Sequence, residues 1–241
     1  SLVTLAATGL LLLSGPAAAA SYYQLNFDGA RLNRQGLFED GHKHALRTEG
    51  GGQPGQIFKD RTKGSKVLVL RSTATPAGGK KDRAEVQIHS GITFNRTWFV
   101  GLEVFVPKPV TFSDTWHLLL QCHQAGTQVS PPISLNLEPT GHLSLVARDD
   151  ADSYDRLWSG PLPQGRWVHL VLGFKMGQNG HAQIWQDGRL MSTHRQSLGW
   201  AGGERRCVLK TGLYRGAATT PFEIRLDNVI LGSRYKDVLP R

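Results

Sequence analysis

From Ser21 onward, apolar and polar residues alternate with a period of two, and no stretch beyond about ten residues carries a helical stripe. Val67 to Leu70, Arg83 to His89, Trp98 to Val106, Trp116 to His123 and Ile133 to Leu137 read as strands. So do His142 to Ala147, Trp167 to Phe174, His181 to Trp185, Val208 to Tyr214 and Phe222 to Leu231. Turn pairs punctuate them: Thr140-Gly141, Gln164-Gly165, Asn179-Gly180 and Asp187-Gly188, the last predicting a tight hairpin into Arg189 to Met191. Three stretches lack the alternation and predict loops. Glu39 to Gly55 is polar and Gly-rich, Pro76 to Lys81 is a basic turn, and Asp149 to Asp155 is a solvated acidic segment. Many short strands at regular spacing predict an all-β fold, a two-sheet β-jelly-roll sandwich of concanavalin-like type.

Residues 1–20 do not share this pattern. An uncharged apolar run through Leu10 to Leu13, then Pro16 and four alanines, is expected to be a secretory signal peptide, truncated at its start and cleaved near Ala20. Residues 21–241 are then expected to form a single domain, a monomer, in the periplasm or outside the cell. The apolar run is too short to predict a membrane span. An apolar fraction of 39% and a charged fraction of 20% are those of a folded chain. The net charge of +9 points to an anionic partner. Nucleic acid is not expected, because no finger, helix-turn-helix or RNA-binding signature accompanies the charge. Cys122 and Cys207 are the only cysteines. Export would permit a disulfide between them, and two buried thiols are the alternative. No metal-type spacing occurs, and no metal or cofactor is expected.

Side chains alternate faces along a strand. In the strand from Arg83 to His89, Arg83, Glu85, Gln87 and His89 share one face, and Ala84, Val86 and Ile88 the other. In the strand from Trp116 to His123, Gln121 and His123 share a face, opposite Leu118, Leu120 and Cys122. In the strand ending at Tyr214, Lys210 and Tyr214 flank Gly212, which predicts an open sheet surface between them. Three strands thus present Arg, Gln, His, Lys and Tyr from an apolar backing.

The set suits β-elimination in a uronic-acid polymer, in which the proton beside a carboxylate is removed and the resulting charge needs donors. Arg binds a carboxylate in bidentate fashion, Gln donates from its amide, His accepts a proton near neutral pH, and Tyr serves the departing oxygen. Whether His or Tyr is the base stays open.

These segments resemble the three strand motifs of the jelly-roll polysaccharide lyases: the alginate lyases, glucuronan lyases and heparin lyase I. Arg83-Ala84-Glu85, Gln121-Cys122-His123 and Lys210-Thr211-Gly212-Leu213-Tyr214 stand in the family order. The resemblance implies an endo-type lyase acting on an anionic polysaccharide. Arg83, Gln121, His123 and Tyr214 would be catalytic, with Lys210, Glu85 and His89 binding substrate. Ala84 and Val86 depart from the alginate pattern, which argues against alginate in particular. A non-catalytic, lectin-like sandwich is the alternative, with Trp158 or Trp200 as exposed sugar platforms and Trp98 and Trp167 in the core. A glycoside hydrolase would need two carboxylates across the scissile bond, and no convincing pair is present.

Overall fold

The computed structural model describes residues 21–33, 36–39, 42–108, 111–112, 114–150 and 152–240. The expected signal peptide and the side chain of His89 lie outside what is described. The described strands, in chain order, begin with β1 (Ser21–Leu25), β2 (Arg31–Asn33), β3 (Gly36–Glu39), β4 (His42–His44), β5 (Leu46–Glu49) and β6 (Gln56–Lys59). They continue with β7 (Lys66–Ser72), β8 (Lys81–Thr93), β9 (Thr97–Phe105), β10 (His117–Gln124), β11 (Ile133–Leu137) and β12 (His142–Ala147). The last are β13 (Asp155–Pro161), β14 (Trp167–Lys175), β15 (His181–Gln186), β16 (Arg189–Arg195), β17 (Arg206–Gly216) and β18 (Phe222–Gly232).

Two large antiparallel sheets face one another, as a jelly-roll sandwich requires. The front sheet runs β13-β12-β11-β10-β17-β8-β5. The back sheet runs β16-β15-β14-β9-β18-β7-β6, with β1 also paired to β18, and β2-β3-β4 form a small third sheet. Alternation dictates the core. Ala84, Val86, Leu209 and Leu213 from the front sheet meet Leu68, Leu70, Leu102 and Leu226 from the back, all at most 1% exposed. Burying each of the larger side chains contributes about 1.5–3 kcal/mol. A small apolar cluster on the outer side of the back sheet, Val171, Ile230 and Val238, is roofed by a 3-10 turn at Tyr235–Val238.

Where a loop is expected over Glu39 to Gly55, the structure has β4 and β5. β5 is an edge strand, pairing only with β8, and its mostly exposed residues hide the alternation that a buried face would show. Trp116 precedes β10 rather than starting it, and is 48% exposed. Trp98 is buried as expected, whereas Trp167 is only half-buried, with the Lys63 ammonium 5.3 Å from its ring.

Cys122 and Cys207 form a disulfide between β10 and β17, with a Cα–Cα distance of 5.4 Å. It closes a loop over a sequence separation of 85 and lies in the core. Such a bond restricts the unfolded chain, so Cys122→Ala with Cys207→Ala is expected to lower unfolding stability by about 2–5 kcal/mol. The check is urea denaturation; a midpoint equal to wild type would contradict it.

Candidate active site

The front sheet carries a groove of about 800 Å³. Strand register fixes its floor. Gln87, Lys210, Gln121 and Ser134 are successive Cα partners across β8, β17, β10 and β11. Arg83, Tyr214, Leu118 and Asn136 form a second such row. On β8 and β17 the two rows stand four residues apart, about 13 Å. On β10 they stand three apart, and on β11 two, about 7 Å. The rows therefore fan, and Gln121 sits one residue nearer to Tyr214 than in an unbroken ladder.

The fan comes from a bulge between Leu118 and Leu120. Leu119 and Leu120 both enter the core, while Leu118 joins the groove wall. Strict alternation, which places Leu118 with Leu120 and Cys122, fails at this point. Gly212, expected to open the surface for a ligand, has a different purpose. Its φ is +142°, and an added Cβ would stand 2.5 Å from the Ala84 carbonyl oxygen and 2.8 Å from core Leu70. The glycine serves a tight backbone approach, not groove space.

Arg83, Gln121, His123, Lys210 and Tyr214 all line the groove. Glu85 does not: it is 1% exposed and lies beneath the floor. Direct contact between Glu85 and substrate, expected from the motif, gives way to a supporting position. Gln121 Nε2 donates to Glu85 Oε1 at 2.5 Å, and Arg83 Nε stands 3.6 Å from Glu85 Oε2. Burial pushes the Glu85 carboxyl up, against the opposing pull of Gln121, Arg83, Lys210 and Arg47. One buried acid thus holds the Gln121 amide and stands within ion-pair distance of Arg83.

Tyr214 is held on two sides. The Arg83 guanidinium lies 3.9 Å from its ring centroid, and Trp116 meets it edge-on at 4.9 Å. His123 Nδ1 lies 3.1 Å from the Gln124 carbonyl oxygen. A carbonyl only accepts, so this bond places a proton on Nδ1, and the Val129 backbone is a second hydrogen-bond partner of the ring. Burial first, then Lys210 and Arg83, lowers the His123 pKa, which favours the neutral ring. Burial likewise lowers the Lys210 pKa, with Glu85 opposing.

The sequence reading missed other lining groups. Arg47 comes from the unexpected edge strand, Trp116 from the rim, and Arg148, Tyr154 and Arg156 from the far side. Arg148 carried a usable signal: it continues the groove-side alternation of Ser144 and Val146. His44, on β4, stands outside the groove: it is buried and bonded to the Tyr23 hydroxyl. Trp200 is 7% exposed and Trp158 half-buried against the core, so neither is an open platform. Among the described residues no cluster of three or more His, Cys, Asp or Glu is placed to hold a metal, and no helix is long and apolar enough to cross a membrane.

Structural comparison finds the same fold in several proteins. The endo-β-1,4-glucuronan lyase of the fungus Trichoderma reesei matches with a TM-score of 0.70 at 16% identity, covering 91% of this chain and 98% of that one. The alginate lyase AlyC3 matches with a TM-score of 0.55 at 15% identity, over 73% and 77% of the two chains. The receptor-binding domain of botulinum neurotoxin type G matches with a TM-score of 0.56 at 10% identity, over 90% of this chain and 48% of that one. At these identities the likeness is one of fold, shared by enzymes and a binding domain alike. No curated protein sequence matches the chain. A family model described as polysaccharide lyase, however, matches residues 38–230. The chain belongs to the polysaccharide lyase family.

Proposed function

We propose that this enzyme cleaves a uronic-acid-containing polysaccharide by β-elimination. The observation that carries the reading is the meeting of Arg83, Gln121, His123 and Tyr214 in one groove, with His123 Nδ1 held by the Gln124 carbonyl. Arg83 and Gln121 bind the carboxylate of the sugar to be cleaved. The Arg83 terminal nitrogens have no hydrogen-bond partner among the described residues, and Gln121 retains one amide hydrogen beyond its bond to Glu85. Their donors stabilise the charge that grows on the carboxylate as the neighbouring proton leaves.

His123 Nε2 takes that proton. The electron pair of the C–H bond forms the new carbon–carbon double bond, and the glycosidic C–O bond breaks. Tyr214 gives its hydroxyl proton to the departing oxygen, and proton exchange with water resets both groups. Lys210 holds the substrate and keeps His123 neutral. The net charge of +9 suits a polyanionic substrate, and the disulfide suits action outside the cytoplasm. His89, which shares the Arg83 face of β8 in sequence, is placed at a flanking position in this reading.

The test is incubation with a panel of polyuronates, following the ultraviolet absorbance of the unsaturated product. Rising absorbance on at least one polymer supports the reading; binding without any rise contradicts it.

A pH dependence follows from the direction of the His123 shift. The base is active when neutral, so the acid limb of kcat/KM is expected below the ordinary histidine value of 6.5. Lys210→Gln removes a charge that lowers this pKa, so the limb should move to higher pH. A limb that stays in place in Lys210→Gln would show that another group titrates.

A further inference from the structure

The floor of the groove continues past the catalytic cluster to a second cationic position. Arg148 N bonds the Pro132 carbonyl at 2.8 Å, extending the β11–β12 ladder one step beyond the Ile133–Ala147 pair. Cys122 pairs with Ile133, so His123, Pro132 and Arg148 fall in one row. The Cα atoms of His123 and Arg148 are thus two strand spacings apart, about 10 Å. That is too far for Arg148 to serve the sugar at His123 and close enough for it to serve a neighbour.

The chemistry of this position is that of a carboxylate site. Arg148 and Tyr154 both line the groove, with the guanidinium 4.6 Å from the Tyr154 ring centroid and Tyr154 48% exposed. Arg148 Nη1 donates to the Ser153 carbonyl, which fixes the fork. No carboxylate lies within ion-pair distance of Arg148 among the described residues, and its Nε is buried with no hydrogen-bond partner. Asp150 Oδ1 accepts from the Asp152 and Ser153 amides; the Asp155 charge reaches Arg148 without pairing with it, and its Oδ2 accepts from Gln196. Arg156, one strand further on, is instead neutralised by Glu138 at 3.0 Å. Between the cluster and Arg148 the floor offers Ser134 and Asn136, neutral groups suited to sugar hydroxyls, and Asn136 Oδ1 is buried without a partner.

We infer that Arg148 and Tyr154 form a flanking subsite that binds the carboxylate and ring of a uronate adjacent to the one cleaved, so that the substrate carries uronates in sequence rather than singly. This rests on the elimination reading above and extends it from one carboxylate to two.

Oligouronates of increasing length test it in two ways: by turnover with the wild type and Arg148→Gln, and by calorimetric binding in a Tyr214→Phe background with and without Arg148→Gln. The affinity of wild type is expected to step up at the length that fills the subsite. Arg148→Gln should remove that step, raising KM for long chains about 10- to 100-fold. Its kcat and its rate on the shortest cleaved oligomers should change far less than KM on long chains, and Arg148→Lys should recover part of the loss. An equal loss on short and long chains would overturn the subsite and assign Arg148 to loop support, as would no loss at all. If wild type cleaves no polyuronate, the elimination reading fails, and the calorimetric step alone still decides whether Arg148 holds a uronate.

Discussion

Tyr214→Phe is expected to fold normally and to lose roughly a hundred- to ten-thousand-fold in kcat on a polyuronate, with KM little changed. Tyr214 lines the groove, and in the proposed elimination its hydroxyl gives up a proton only as the glycosidic bond breaks, so its removal should affect the transition state more than binding. The ring contacts with Arg83 and Trp116 survive in phenylalanine, so the floor keeps its shape. His123→Ala should lose a comparable factor, for want of a base. The double variant should be only slightly slower than the worse single one, because both groups act in one elimination. Steady-state rates on all three variants check this. Fully multiplicative losses would show that the two residues serve separate steps.

The second large effect concerns stability. Arg215 and Asp82 are both 0% exposed and form an ion pair between the sheets. Arg215 Nε donates to Asp82 Oδ2 at 3.1 Å, and Nη2 donates to Ser72 Oγ and to the carbonyls of Thr73 and Thr220. Asp82 also accepts from Gly51 N, Ser72 Oγ and Thr75 Oγ1. Arg215→Met leaves Asp82 buried and charged with its strongest partner gone. A loss of about 3–5 kcal/mol in unfolding free energy is expected. Arg215→Met with Asp82→Asn removes the stranded charge and should recover part of it. Denaturant melts of the three proteins decide; a single variant within about 1 kcal/mol of wild type would mean that the network is dispensable. Because Arg215 and Asp82 adjoin Tyr214 and Arg83 in sequence and pair with one another across β17 and β8, loss of this clamp should also loosen the row that carries Arg83 and Tyr214.

What was legible in the sequence is what a period of two encodes. Arg83 and Glu85 alternate with Ala84 and Val86, and Lys210 and Tyr214 with Leu209 and Leu213, so the groove side separates from the core side by inspection. By the same alternation Asp82 and Arg215 fall on the core side, but their burial as a pair emerges only in the fold. Partner identity depends on strand order, which local pattern does not carry. The bulge at Leu119 was invisible for a related reason: three leucines in a row give no sign of where two successive side chains enter the core. β5 escaped because an exposed edge strand has no apolar face to betray it, and with it went Arg47. Glu85 shows the remaining gap. Its face was read correctly, but its depth beneath Gln121 follows from packing between strands rather than from any residue pattern.

Mass balance of the products is the most direct measurement of the central claim. A defined oligouronate is cleaved to completion, and the two fragments are weighed by mass spectrometry. Elimination adds nothing across the broken bond, so the fragment masses should sum to that of the substrate, with the double bond on the fragment carrying the new non-reducing end. A sum greater by one water would mean hydrolysis and would contradict the roles given to His123 and Tyr214.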